Sequence, residues 1–252
     1  MYIGEKAQRT GGTKKTGDNI SPVFRRLLLG RGISEEEMPA FLHPSLDGLA
    51  SPYEVYGMER AVERIRRAVD KKEKILIFGD YDCDGICAIS ILMLALRGRA
   101  DVSYFIPNRI TDGYGMSVDL LKDIISHRKP DLVVTVDCGI TAAEEVEFLK
   151  SQGIDVVVTD HHEPQDTIPD CIVVDAKIDK KGFYDMCGAG VALKLVQALF
   201  GKEYENYLDI CAIATIADVV PLVKDNRIIA YYGLRKCIET PRRGIKLLAG
   251  AE

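Results

Sequence analysis

Three aspartates alternate in the run Asp80-Tyr81-Asp82-Cys83-Asp84-Gly85, which directly follows ILIFG. LVVTV leads into Asp137-Cys138-Gly139, VVVT into Asp160-His161-His162, and IVV into Asp175. Ligands of open α/β sheets sit beyond the carboxyl ends of the strands. Strands that each end in a carboxylate would crowd like charges at one rim, which is unfavourable unless a cation holds them. Carboxylates mixed with imidazole, without paired thiolates, favour Mn²⁺ or Mg²⁺ over structural zinc. The number of acids suits two such ions, a pair that generates a nucleophile at neutral pH and neutralises a phosphoryl transition state. Asp137, alone at the end of its strand, is the expected bridge between them. Taken singly, Asp137 or Asp175 reads equally well as a turn or helix cap. A calcium loop beginning at Asp80 is excluded, because its twelfth position is Ile91 and it would follow a strand.

Two further segments look phosphate-facing. YFIPNRITDGYG places Arg109, whose planar fork matches phosphate oxygens, in a Gly-containing loop after a strand. Cys187-Gly188-Ala189-Gly190 opens a helix whose free N–H groups would attract an anion, so Gly188 and Gly190 are expected to contact substrate. Close packing is the plainer role for such a glycine pair, and a solvated helix charge the plainer role for Lys194 nearby.

The elements that must position these residues alternate from about residue 57: MERAVERIRRAVDKK at helical spacing, strand 75–78, helix 86–97, strand 102–106, helix 117–127, strand 132–136, helix 141–152, and strands 156–159 and 172–174. Strands that are apolar throughout imply an α/β fold: a parallel sheet covered by helices on both faces. Helices at 189–201, 204–217 and 225–239 then form a helical subdomain. The strand-rich half runs over about 57–180 and the helical half over about 188–248. Short helices are expected near 22–30 and 35–42, a connection over Pro44–Pro52, and a disordered tail over residues 1–20.

The 252 residues, 47% hydrophobic and 28% charged, suit an ordinary globular protein with a sizeable core. Net charge is −5, but residues 1–31 hold seven Lys/Arg against two acids, and residues 227–246 hold six against one. An acidic centre between basic ends suits a cation site that receives an anionic substrate. Arg227, Arg235, Lys236, Arg242, Arg243 and Lys246 would be the cationic wall. No apolar run reaches the roughly 18–20 residues of a membrane span, and the N-terminus lacks a secretory core. Seven cysteines without zinc-knuckle spacing point to a reduced, cytoplasmic protein.

GDYDCDG, VDCG, TDHH and Ala217-Asp218 within ATIADVVPL resemble the four metal motifs of the DHH phosphoesterase family. FIPNRITDGYG, CGAGVALKLVQAL, YLDICAIATIADVVPLVKDNRIIAYYGL and HPSLDGLASPYEVYGMERAVERI resemble its RecJ-like branch, the single-strand-specific 5′→3′ DNA exonucleases of bacteria. The likeness covers roughly residues 22–248. It implies a DHH phosphoesterase domain over residues 21–252 that releases 5′-mononucleotides from single-stranded DNA, alongside replication and repair proteins. Asp82, Asp84, Asp137, His161 and Asp218 would be the metal ligands, with Asp80 a weaker one. His162 would face the scissile phosphate, Arg109 would hold it, and Asp160 would orient a histidine. Related DHH proteins make short oligonucleotides or cyclic dinucleotides the alternative substrates, and a binding or repair-scaffold module the non-enzyme alternative. Phe78 stands where many members carry a histidine, so one ion would rely on Asp80 or water. The family's second, GGGH-bearing domain is expected to be missing from these 252 residues.

Overall fold

The computed structural model describes residues 20–113, 115–248 and 250; all but the last residue of the expected disordered tail lies outside them. The chain divides into two compact units, residues 1–45 and 46–252. In the first, α1 (Pro22–Gly30) starts as its residues dictate, with proline in the first turn and the Ser21 hydroxyl accepting from the Phe24 N–H. Ser34 and Glu37 hydrogen-bond reciprocally, side chain to backbone. Residues 35–37 form a turn, and α2 spans only Met38–Leu42 rather than the expected 35–42.

In the second unit, two short 3₁₀ turns, Leu46–Gly48 and Pro52–Glu54, occupy the Pro-rich connection. There follow α3 (Met58–Lys71), β1 (Lys74–Gly79), α4 (Cys83–Leu96), β2 (Asp101–Phe105), α5 (Val118–Arg128), β3 (Leu132–Val136), α6 (Ala143–Ser151), β4 (Asp155–Thr159) and β5 (Ile172–Val174). The helical part adds α7 (Gly188–Phe200), a 3₁₀ turn (Gly201–Tyr207), α8 (Leu208–Ala217), α9 (Lys224–Glu239) and α10 (Arg243–Leu248). The five strands form one all-parallel sheet in the order β2-β1-β3-β4-β5. The expected architecture is therefore the observed one.

Side-chain alternation divides the core into two layers. Ile75, Ile77, Leu132, Val134, Val157 and Val174 pack with α3, α4, α7 and α8 on one face. Leu76, Phe78, Val133, Val156, Val158 and Val173 pack with α5 and α6 on the other. The chain leaves β1 through α4 on the first face and β3 through α6 on the second. That reversal creates a crevice at the carboxyl ends of β1 and β3, the switch point where ligands of such sheets bind.

Two expectations change. Helix α4 begins at Cys83, not near 86, because the Asp82 carboxylate accepts from the Gly85 N–H and caps it. Lys194 is not a solvated charge: its Nζ lies 2.6 Å from Asp225 Oδ2 and donates to the Ala50 carbonyl, fully buried. This pair ties α7 to α9, and an ion pair buried this deeply is strongly destabilising to break because the surviving charge is stranded.

Candidate metal centre

Register sets the site. Gly79 pairs with Val136, Val136 with Thr159, and Thr159 with Val174, so four strands end in one row. The next residue in each strand is an aspartate: Asp80, Asp137, Asp160 and Asp175. The ladder continues through this row, since the Asp137 N–H donates to the Thr159 carbonyl (3.1 Å) and the Asp160 N–H to that of Val174 (3.0 Å). All four carboxyls are buried.

Asp137 takes a left-handed backbone (φ 58°), which turns the chain sharply at the strand end; aspartate tolerates this conformation better than most residues. Its Oδ1 lies 3.0 Å from His161 Nε2, which in turn lies 3.6 Å from Asp84 Oδ2. His161 Nδ1 is 3.9 Å from Asp218 Oδ2. Ligand atoms of Asp84, His161 and Asp218 all fall within 4.8 Å of one another, as do those of Asp80, Asp82 and Asp137, and those of Asp137, His161 and His162. Asp137 and His161 are thus each shared between two groupings. Asp175 belongs to none of them. One of its oxygens accepts the Lys177 N–H, its turn role, and burial pushes its carboxyl up to about 7.

Helix α7 builds the site rather than the substrate pocket. The N–H groups of Gly188 and Ala189 donate to the two oxygens of Asp84 (2.6 and 2.8 Å), so the helix N-terminus already holds an anion, one of the protein's own. A Cβ on Gly188 would sit 2.6 Å from that of Asp137, and one on Gly190 would press on Met186 at 3.2 Å. The expectation of phosphate contacts from Gly188 and Gly190 is corrected accordingly: the first admits Asp137 and orients Asp84, and the second packs. Gly85 is equally constrained, since its Cβ would meet the Asp80 carbonyl oxygen at 2.4 Å.

Asp160 accepts from the N–H groups of Ile140 (2.9 Å), His161 (2.7 Å) and His162 (3.2 Å), and from His162 Nδ1 (2.7 Å). Burial opposes its charge, but these hydrogen bonds, led by that from His162, hold its carboxyl below the ordinary carboxylate range. An ionised Asp160 places the proton on His162 Nδ1 and raises the basicity of that ring. His162 is the histidine it orients, and its side chain remains half exposed. Arg109 is exposed and stands over the Tyr81 ring at 5.5 Å, which brings it against the Asp80–Asp84 segment. Its loop is tied by Asn108 and Asp112, each N–H bonding the other residue (2.8 Å).

Whether cations fit is decided by the polar atoms left over. Asp80 Oδ1, Asp137 Oδ1 and Asp175 Oδ2 are buried without a hydrogen bond, although His161 Nε2 approaches Asp137 Oδ1 to 3.0 Å; of the three residues, Asp80 and Asp137 belong to the ligand groupings. Burial first, then the charges of Asp84 and Asp82, push the Asp137 carboxyl up to about 10, and burial raises those of Asp80 and Asp218. An all-oxygen and imidazole donor set under this repulsion fits hard or borderline divalent cations. The sign for stability follows: a carboxyl raised from 3.8 to about 10 stabilises the metal-free fold fully below the lower value and progressively less up to the higher one. The metal-free protein is therefore expected to melt at lower temperature at pH 8 than at pH 5. Saturating Mn²⁺ should raise the melting temperature more at pH 8, because binding requires the ionised form. Thermal melts at both pH values, with EDTA and with Mn²⁺, check this.

The cationic wall is partly consumed internally. Arg242 bonds the buried Asp209 (2.6 Å), Lys236 the Glu205 carbonyl (2.6 Å), and Arg235 lies 3.5 Å over the Tyr231 ring. All seven cysteines are free, and among the described residues no helix is long and apolar enough to cross a membrane.

The model of the DHH family, N-terminal domain, matches residues 74–215. The single-stranded-DNA-specific exonuclease RecJ of Bacillus subtilis is 40% identical over 238 residues, covering 91% of this chain and 30% of that protein. The chain thus spans about a third of that relative. A crystal structure of exonuclease RecJ bound to manganese superposes with a TM-score of 0.75 at 35% identity, covering 80% of this chain and 53% of the other. RecJ of Thermus thermophilus in complex with Mg²⁺ gives 0.62 at 29% identity, with 89% and 29% covered.

Proposed function

The chain belongs to the DHH family, and from that premise we propose that it hydrolyses single-stranded DNA from the 5′ end, releasing 5′-mononucleotides, with two divalent cations, Mn²⁺ preferred and Mg²⁺ the alternative. The observation that carries this reading is the convergence of Asp84, Asp137, His161 and Asp218 at the switch point, where Asp137 Oδ1 and the neighbouring Asp80 Oδ1 are buried without a hydrogen bond. Asp82, Asp84, Asp137, His161 and Asp218 are the ligands, and Asp80, its Oδ1 free, is a peripheral one. When bound, such a pair supplies a nucleophile at neutral pH and neutralises charge on the phosphoryl group. His162, its Nδ1 held by Asp160, presents its other ring nitrogen to the phosphate as a donor. Arg109, carried over Tyr81, offers its fork to the phosphate oxygens. The named relatives act on single-stranded DNA and bind manganese or magnesium, which supports both substrate and cofactor. We take the phosphoesterase fold proper as the strand-rich half at about 57–180 and the helical half at about 188–248, working in the cytoplasm beside replication and repair proteins.

A second reading, hydrolysis of short oligonucleotides or cyclic dinucleotides, is favoured by one observation: Lys236 and Arg242, expected to track a long backbone, are bonded within the protein. A single assay separates the two. With Mn²⁺, the purified chain should release labelled mononucleotide from a 5′-labelled single strand, spare the blunt duplex, and stop on adding EDTA. Hydrolysis confined to dinucleotides would replace the first reading by the second, and no hydrolysis of either substrate would leave the binding-module reading.

A further inference from the structure

Six non-glycine residues among those described take a positive φ: Lys72, Lys129, Asp137, Lys180, Val219 and Lys224. Val219 (φ 59°) is the β-branched one, and branched side chains rarely adopt this conformation. It sits just past α8, directly after Asp218, where its N–H bonds the Ile216 carbonyl (3.2 Å). Glycine is the usual residue at such a helix end. Packing does not explain the valine, because its side chain is 84% exposed. Strain that the fold does not use is a reason to look for a use in function. Ile216, two residues before Asp218, and Ile86, two residues after Asp84, are also exposed. Branched apolar side chains therefore stand in solvent on both segments that bring Asp84 and Asp218 to the metal centre.

We propose that Val219, with Ile216, packs against the base of the nucleotide beside the scissile phosphate, making it a specificity residue for unpaired strands; this rests on the single-strand reading above. A polyanion passing the centre offers one large apolar surface, the face of an unstacked base. Every base has such a face, so the contact tolerates sequence, and in a duplex that face is hidden in the stack. An aliphatic contact of this size, made only with an unstacked base, adds affinity for single strands without contacting phosphate.

The test measures binding, so it does not depend on turnover. Anisotropy of a labelled oligothymidylate and of an abasic oligomer of equal length is followed with Ca²⁺ in place of Mn²⁺, for the wild type, Val219→Gly and Val219→Asn. Both replacements tolerate the left-handed backbone, so melting temperature should hold or rise, and Mn²⁺ stoichiometry by calorimetry should not change. Oligothymidylate should bind about tenfold more weakly to both variants, as expected for losing a buried valine contact. The abasic oligomer should bind the three proteins alike. Unchanged oligothymidylate affinity, or equal weakening on both oligomers, would overturn the proposal and leave the nuclease reading standing. A wild type that binds neither oligomer would remove the single-strand reading itself, and the proposal with it.

Discussion

Asp137→Asn is expected to abolish hydrolysis, by more than about 10³-fold in kcat/KM, while raising the melting temperature of the metal-free protein. Both effects have one cause. Asp137 is buried against Asp84 and Asp82 and belongs to two of the three ligand groupings, so its charge is needed by cations and unfavourable without them. Asparagine keeps the shape and tolerates φ 58°, yet it cannot supply the negative charge that two cations would share. Titration calorimetry should show Mn²⁺ stoichiometry reduced, and thermal melts in EDTA should show the variant more stable than wild type. Unchanged stoichiometry would remove Asp137 from the bridging position. Asp80→Asn, at the periphery, should have the smaller effect.

His162→Ala should lower kcat by about 10²–10³-fold with Mn²⁺ affinity nearly unchanged, whereas His161→Ala should weaken the metal. The two adjacent rings are held differently. His161 is buried with Nε2 directed at Asp137 and Asp84, and His162 is half exposed with Nδ1 bonded to Asp160. The hydrogen bond to Asp160 raises the pKa of His162, so its protonated, donating form is present below that raised value and lost as pH rises through it. Wild-type kcat should carry this descending limb, and His162→Ala should lack it. Equal metal loss in both variants would exchange or merge the two roles.

Much of this was legible along the chain because the information is local. Apolar runs of β-branched residues followed at once by aspartate specify strands whose carboxyl ends bear charge, and alternation with helices makes the sheet parallel. Asp80, Asp137, Asp160 and Asp175 therefore mark a rim in the sequence itself. Asp218 does not, because it closes a helix and nothing at its own position distinguishes a ligand from a surface cap; only the resemblance of ATIADVVPL to a family motif picked it out. The glycine-bearing opening of α7 suggested a substrate phosphate, and the group its N–H donors hold is instead Asp84, 104 residues earlier, a partner that no local pattern reveals.

Tertiary structure alone decided which charges face the crevice and which are used within the fold. Lys194 of α7 meets Asp225 of α9, and Arg242, between α9 and α10, meets Asp209 of α8, contacts made only after the chain has folded. Such pairs leave no spacing signature, since helical periodicity specifies which face is buried but not which neighbour it meets. Parallel pairing likewise sets the register that brings four strand ends level, and register depends on partners far along the chain. The sequence by itself determined the kind of sheet and the chemistry at its rim. Which of those acids converge, and which basic groups are bonded within the fold, was decided by contacts between segments about 30 to 100 residues apart, which local pattern does not encode.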